Sequence, residues 1–231
     1  MHRGIMAVWS DITDEARDDY TAWYEREHMF DRLAVPGIRR ARHYQTHSGA
    51  PGYFTYFITD DAAVMAGDAY LASANNPSPW TQRILPHFRN TNRTVFDVLR
   101  RVGHGSGVIA LTLRFSRAVD ASDAQLAAAT QRLAARLPGC IERDGVIAAQ
   151  LWQADLEATW QPVADRDLRA SRDRTCDLAL FIDGTGVEPL RTLLDALLDP
   201  IGADTAAALQ APECAIHSLL IEADENEPGE I

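Results

Sequence analysis

Trp23–Tyr44, WYEREHMFDRLAVPGIRRARHY, holds the end of a helix, a break and the start of a strand in one run. Tyr20, Trp23, Tyr24 and His28 recur at helical spacings, which predicts a helix from Glu15 to about Met29 with Thr13 or Asp14 as its cap. Pro36-Gly37 then breaks the chain. Beyond the break, Ile38–Thr46 reads as a strand with Arg40, Arg42 and Tyr44 on one face and Arg39, Ala41 and His43 on the other.

The same alternation extends in both directions. Gly4–Ile12 (GIMAVWSDI) and Tyr53–Thr59 (YFTYFIT) read as strands, the latter joined to Ile38–Thr46 by the turn-rich HSGAPG of residues 47–52. Asp60-Asp61 caps a helix over Ala62–Ala72, a loop rich in Asn and Pro follows, and a helical turn near Thr81–Leu85 leads to a strand over Thr91–Arg100. The order is βαββαβ. A second pass runs through a strand over Gly107–Ser116, a helix Asp123–Leu137 capped by Ser122 and ended by Pro138-Gly139, and a strand Gly145–Ala154. Strand Leu178–Ile182, helix Val187–Leu198 and strand Ala215–Glu222 complete it. The two Pro-Gly pairs, 102 residues apart, read as matching points of an internal duplication.

Each βαββαβ unit implies a four-stranded antiparallel sheet with both helices on one face, the ferredoxin-like arrangement. In Gly4–Ile12, Ile5, Ala7 and Trp9 fall on one side and Met6 and Val8 on the other, so both faces need cover. Two bare sheets packed face to face would supply it. The expected fold is α+β, two tandem ferredoxin-like repeats forming one α+β barrel. Repeat 1 spans residues 1–103 and bears the site, repeat 2 spans 107–223 and is structural and acidic, and 224–231 is a flexible acidic tail. An interior barrel cavity is the expected place for chemistry.

Composition narrows the classes of activity. All 22 basic residues are arginine, so a lysine Schiff base, a lysine general base and a P-loop are excluded. The net charge of −11 falls wholly on residues 105–231, and no basic stripe with interleaved aromatics occurs, so nucleic acid is not an expected partner. No run of eighteen apolar residues marks a membrane span, and the N-terminus lacks a secretory pattern, which makes the cytoplasm the expected location. Cys140, Cys176 and Cys214 lie 36 and 38 residues apart, outside any metal or redox spacing, and read as buried fillers. No metal site is expected from the histidine spacings, and GxGxxG and GxSxG are absent.

The Trp23–Tyr44 stretch resembles the dimeric α+β barrel superfamily, in particular its EthD-like branch, through Trp23, Tyr24, His28, Leu33, Pro36, Gly37, Arg42 and Tyr44. The second half matches in element order and in its Pro-Gly, without a histidine at the position of His28. Similar barrels include cofactor-free monooxygenases of polyketide quinols, muconolactone-type isomerases, cyclases, and haem-dependent chlorite dismutases and peroxidases, so the resemblance implies a fold more than a reaction.

On this basis His28 is the expected general acid/base, with Arg42 and Tyr44 holding a developing oxyanion. Trp23, Tyr24, Tyr56, Trp80, His87 and Arg93 are the expected substrate-binding residues. The expected function is a cofactor-independent isomerase, lyase or monooxygenase acting on an aromatic or polyketide-like acid or enol. The alternatives are a non-catalytic ligand-binding barrel, or a haem enzyme with His217 as an axial ligand. A homodimer is compatible with exposed sheet edges and outer helices. For the single residues, helix capping by His28 and ion pairing by Arg39, Arg40 and Arg42 stand as structural alternatives.

Overall fold

Strand β1, Gly4–Ile12, is buried on both faces along almost its whole length, and the architecture follows from that. The computed structural model describes residues 3–198 and 203–225. The remaining strands are β2 (Ile38–Gly49), β3 (Tyr53–Thr59), β4 (Phe88–Gly103), β5 (Ile109–Phe115), β6 (Val146–Ala154), β7 (Leu178–Gly184) and β8 (Glu213–Asp224). The order is β4-β1-β3-β2 in the first half and β8-β5-β7-β6 in the second, which is the ferredoxin-like order twice. β2 pairs with β8 and β4 with β6, closing an eight-stranded antiparallel barrel with no free edge. The long strands supply the closure: β4 has 16 residues, against 7 in β3, and its C-terminal part pairs with β6 of the other half.

Three apolar clusters fill the layers. Outside the first half, Met6, Val8, Trp23, Tyr24, Phe57 and Phe88 join sheet to helices, and outside the second Leu111, Leu113, Leu151, Leu180 and Ile182 meet Leu133, Leu190 and Leu193. Inside the barrel, Trp9 stacks on Phe54 with ring centroids 4.9 Å apart, and Trp152 on Phe181 at 5.1 Å. Aromatic rings thus occupy the middle of the barrel, where a cavity was expected. Its contents interdigitate as in small closed barrels. Among the described residues no helix is long and apolar enough to cross a membrane.

The matching turns differ from the sequence reading. The helix Asp123–Ile141 continues through Pro138-Gly139. A proline cannot donate to the carbonyl four residues back, and the freed Ala134 carbonyl instead accepts a hydrogen bond from Arg100 Nη1 at 3.0 Å. The counterpart of Gly37 is Gly145, 108 residues on. Both hold positive φ, +94° and +80°. Each is framed by the same two bonds, Ile38 N to Val35 O (3.1 Å) with Asp60 N to Gly37 O (2.9 Å), and Val146 N to Arg143 O (3.2 Å) with Thr185 N to Gly145 O (2.9 Å). Asp144 stands where the first half has Pro36.

The expected tail at 224–231 also begins later than the sequence suggested. β8 runs to Asp224, which pairs with Arg40, and Glu225 pairs with Arg39. Residues 226–231 lie outside the described residues.

Two histidines are locked into this frame in neutral form. His43 shares a hydrogen bond between Nδ1 and Thr55 Oγ1 (2.7 Å), and His217 in the barrel shares bonds with Thr46 Oγ1 (3.0 Å) and Thr112 Oγ1 (2.9 Å). Burial lowers both pKa values to about 3, helped at His217 by the charge of Arg114. The unfolded chain therefore binds more protons below pH 6.5, and stability is lost as the pH falls from 6.5 toward 3. At pH 5.5 each histidine costs about 1.4 kcal/mol, roughly 3 kcal/mol for the pair. Urea unfolding at pH 7.5 and 5.5 measures this, and equal stabilities at the two values would contradict it.

Candidate functional site

The first-half helix over 17–33 carries a wide π-helical turn at Tyr24–His28, between α-helical Arg17–Trp23 and Met29–Leu33. An α-helix with 3.6 residues per turn does not bring residue i+5 back over residue i, whereas a π turn does so more nearly. The ring of His28 accordingly stacks on Trp23 at 4.0 Å with planes 24° apart, and stands edge-on to Tyr24 at 5.3 Å. The corresponding second-half helix is α-helical throughout. Counted back from the shared turn, His28 corresponds there to Arg136, whose guanidinium donates to the Ala196 and Leu197 carbonyls. π turns of this kind are frequent at functional sites.

His28, half-buried, faces a small cavity of about 20 Å³ between the helices and the outer face of the sheet. Trp23, Tyr24 and Arg93 share that lining, as do Arg32, Tyr70, Asp165 and Arg169. Arg93, from β4, donates to the Tyr70 hydroxyl at 2.8 Å and to the Thr159 carbonyl at 3.2 Å. Arg32 donates to Ser73 Oγ at 2.7 Å and forms a buried ion pair with Asp165. Asp173, also buried, holds Arg169. Asp165 Oδ1 and Arg169 Nε have no hydrogen-bond partner among the described residues.

Two of the cavity's cations are ion-paired, Arg32 with Asp165 and Arg169 with Asp173. Three guanidinium groups face the cavity against one carboxylate. Burial holds His28 well below the ordinary imidazole value, and the charges of Arg32 and Arg169 lower it further, so it is a neutral proton acceptor at pH 7. Burial would raise the Tyr70 phenol, but facing Arg93 and Arg32 outweigh it and hold the pKa below the usual value. The cavity thus combines an uncharged base with cations placed to stabilise a developing oxyanion.

The remaining sequence candidates lie elsewhere. Arg42, Tyr44 and Tyr56 face into the barrel, on the opposite side of the sheet from His28, so the expected grouping of His28 with Arg42 and Tyr44 is not formed. The strand alternation puts Arg42 and Tyr44 on one face, and that face is the one turned away from His28. Arg42 is fully engaged: it donates to Asp183 (2.9 Å), to Tyr56 (3.3 Å) and to the Gly107 carbonyl, and it pairs with Glu222 at 2.6 Å. It ties β2 to β7, β8 and the inter-half link. Trp80 donates to Asp19 at 2.9 Å, and His87 shares a 2.8 Å bond with Thr13, both away from the cavity.

Arg32, Tyr70, Asp165 and Arg169 escaped the sequence reading. Asp165 and Arg169 belong to residues 155–177, which join β6 to β7 where the first half needs only residues 50–52 between β2 and β3. This segment crosses onto the first half: Arg174 N donates to Thr91 O at 2.8 Å, and Arg93 N to Arg174 O at 3.0 Å. Its length and the charge-dense run DRDLRASRDR, 165–174, are the signal that could have found it.

Haem does not fit these residues. Both nitrogens of His217, the histidine inside the barrel, are bonded to threonines, which leaves neither free as an axial ligand. Among the described residues no group of three or more His, Cys, Asp or Glu side chains converges as a metal site would require.

No family model matches the chain, and no curated protein matches it. Solved structures share its fold. An anthrone oxidase-like protein superposes with a TM-score of 0.62 at 10% identity, over 98% of this chain and 94% of the other. A proposed monooxygenase from Fusobacterium nucleatum gives 0.58 at 10% identity, over 96% and 94%, and one from Lactobacillus acidophilus gives 0.54 at 10%, over 97% of each chain. At that identity the likeness is one of fold.

Removing one partner of the Arg32–Asp165 pair strands a buried charge. Asp165→Ala is expected to cost about 3–5 kcal/mol, read as a lower urea midpoint with an unchanged m-value. A loss below 1 kcal/mol would show that the pair is not closed in solution.

Proposed function

We propose that the protein is a small-molecule enzyme of the monooxygenase type, acting on an aromatic or polyketide-like acid or enol in the His28 cavity. The observation that carries the reading is the neutral His28, stacked on Trp23, in one cavity with Arg93, Arg32 and the Arg93-bonded phenol of Tyr70. His28 takes the proton of an enolisable CH or phenol OH. Arg93 and Arg32 hold the resulting oxyanion, and Trp23 and Tyr24 wall the ring. An electron-rich carbanion so formed can react with dioxygen without an external reductant. Conversion of a CH₂ to a carbonyl consumes one O₂, places one oxygen atom in the product and the other in water. The anthrone oxidase-like and monooxygenase neighbours support this chemistry by analogy of fold alone. Membership of the EthD-like branch rests on the Trp23–Tyr44 resemblance. The cavity holds about 20 Å³, so admitting a substrate ring requires movement of the π turn or of the 155–177 cover.

Dioxygen uptake with anthrone as probe tests the proposal, measured against spontaneous autoxidation and with quinone formation followed by chromatography. Wild type is expected to consume one O₂ per anthrone. His28→Ala is expected to lower kcat/KM by about 10²–10⁴-fold, and Arg93→Gln to lower it while keeping the fold. Because His28 is neutral well below its ordinary range, the acid limb attributable to it should lie well below pH 6.5. Tight retention of the probe with no product, unaffected by His28→Ala, would instead identify a carrier barrel.

A further inference from the structure

A second cavity lies away from His28, at one end of the barrel. It measures about 780 Å³, within the usual range for organic ligands. Its floor is Tyr56, packed on Phe181 (4.9 Å) and Trp152 (5.7 Å), with the buried amide of Gln150 beside it. Ile58 lines one side, and an adjoining cleft continues the apolar wall through Ile5 and Val98.

The charges around this mouth are unevenly satisfied. On the β2–β8 wall every carboxylate has an arginine: Asp60 and Glu225 bind Arg39, Asp224 binds Arg40, and Asp183 binds Arg42. On the opposite wall Arg3 and Arg101 lie within ion-pair distance of no carboxylate among the described residues, and Arg101 spends one nitrogen on the Gly105 carbonyl at 2.7 Å. Arg3 and Arg101, with no carboxylate in ion-pair range among the described residues, thus stand at the rim of a mostly polar mouth whose apolar part is Ile58 and the Tyr56 ring.

We propose that this end of the barrel is a second ligand site, for a small organic carboxylate with an apolar body. The carboxylate binds Arg3 and Arg101, and the body lies along Ile58 and Ile5 toward the Tyr56 ring. The β2–β8 wall, with Glu222 and Asp224 near Arg40, repels the anionic head and fixes the ligand one way round. The site is independent of the His28 cavity on the far side of the sheet.

Calorimetric titration of the full-length protein with 3-phenylpropionate, and with its uncharged amide 3-phenylpropanamide, tests the assignment. The acid is expected to bind at one site, the amide at least tenfold more weakly, and the acid progressively less as NaCl is raised from 50 to 500 mM. Arg3→Gln and Arg101→Gln should each weaken the acid at least fivefold, and Ser106→Trp, at the exposed rim, should abolish binding. Arg191→Gln, on a distant helix, and His28→Ala should leave affinity within twofold. Equal binding of acid and amide, no saturable binding of the acid, unchanged affinity in both arginine variants, or loss of binding in His28→Ala would each overturn the proposal. The last would place the ligand in the helix-side cavity.

Discussion

Each four-stranded sheet in this protein has two apolar faces and helices for only one of them. Everything else in the architecture answers that constraint. The bare faces turn toward each other, the long β2, β4 and β8 strands carry hydrogen bonding from one half to the other, and the circuit closes without an edge. Closure has a cost in polar groups, since charged side chains on inward positions have no water to meet. Arg42, His217 and Asp183 are accommodated by bonds that cross between strands of different halves, so the polar contents of the barrel also set how the halves fit together.

The two halves use one topology for different ends. Behind the second sheet, leucine and alanine fill the space under regular helices. Behind the first, a widened helical turn and a set of arginines replace part of that packing with a small polar chamber. The chamber is expensive in desolvation, because Arg32, Arg93 and Asp165 are all buried. The second half offsets that cost by sending residues 155–177 across to pair with it. The two halves are thus joined at this chamber, which takes residues from both.

The fold was legible because its determinants are periodic and local. Alternation in YFTYFIT and GIMAVWSDI, helical spacing from Tyr20 to His28, and glycine at positive φ before β2 all act within a few residues. His28, Trp23, Tyr24 and Arg93, to which the resemblance and the loop position pointed, line one cavity. Arg42 and Tyr44 were misplaced because alternation says which residues share a face and not which face meets helices. Pro138 misled for a comparable reason: its missing donor is compensated by Arg100, 38 residues away. Asp165 and Arg169 sit in a charge-dense run whose crossing to the first half no local pattern shows, since Asp165 meets Arg32 and Arg169 lies over Phe88, both distant in the chain.

The crossing segment also orders events in time. A chain made from its N-terminus exposes the first four strands and their helix as soon as residue 103 leaves the ribosome, yet the carboxylates that neutralise the chamber arrive only with Asp165 and Asp173. Until then Arg32 and Arg93 have only their first-half partners, Ser73 and Tyr70, and lack the Asp165 carboxylate and the Thr159 carbonyl. The polar chamber of the first half is therefore completed last, after most of the barrel has been synthesised.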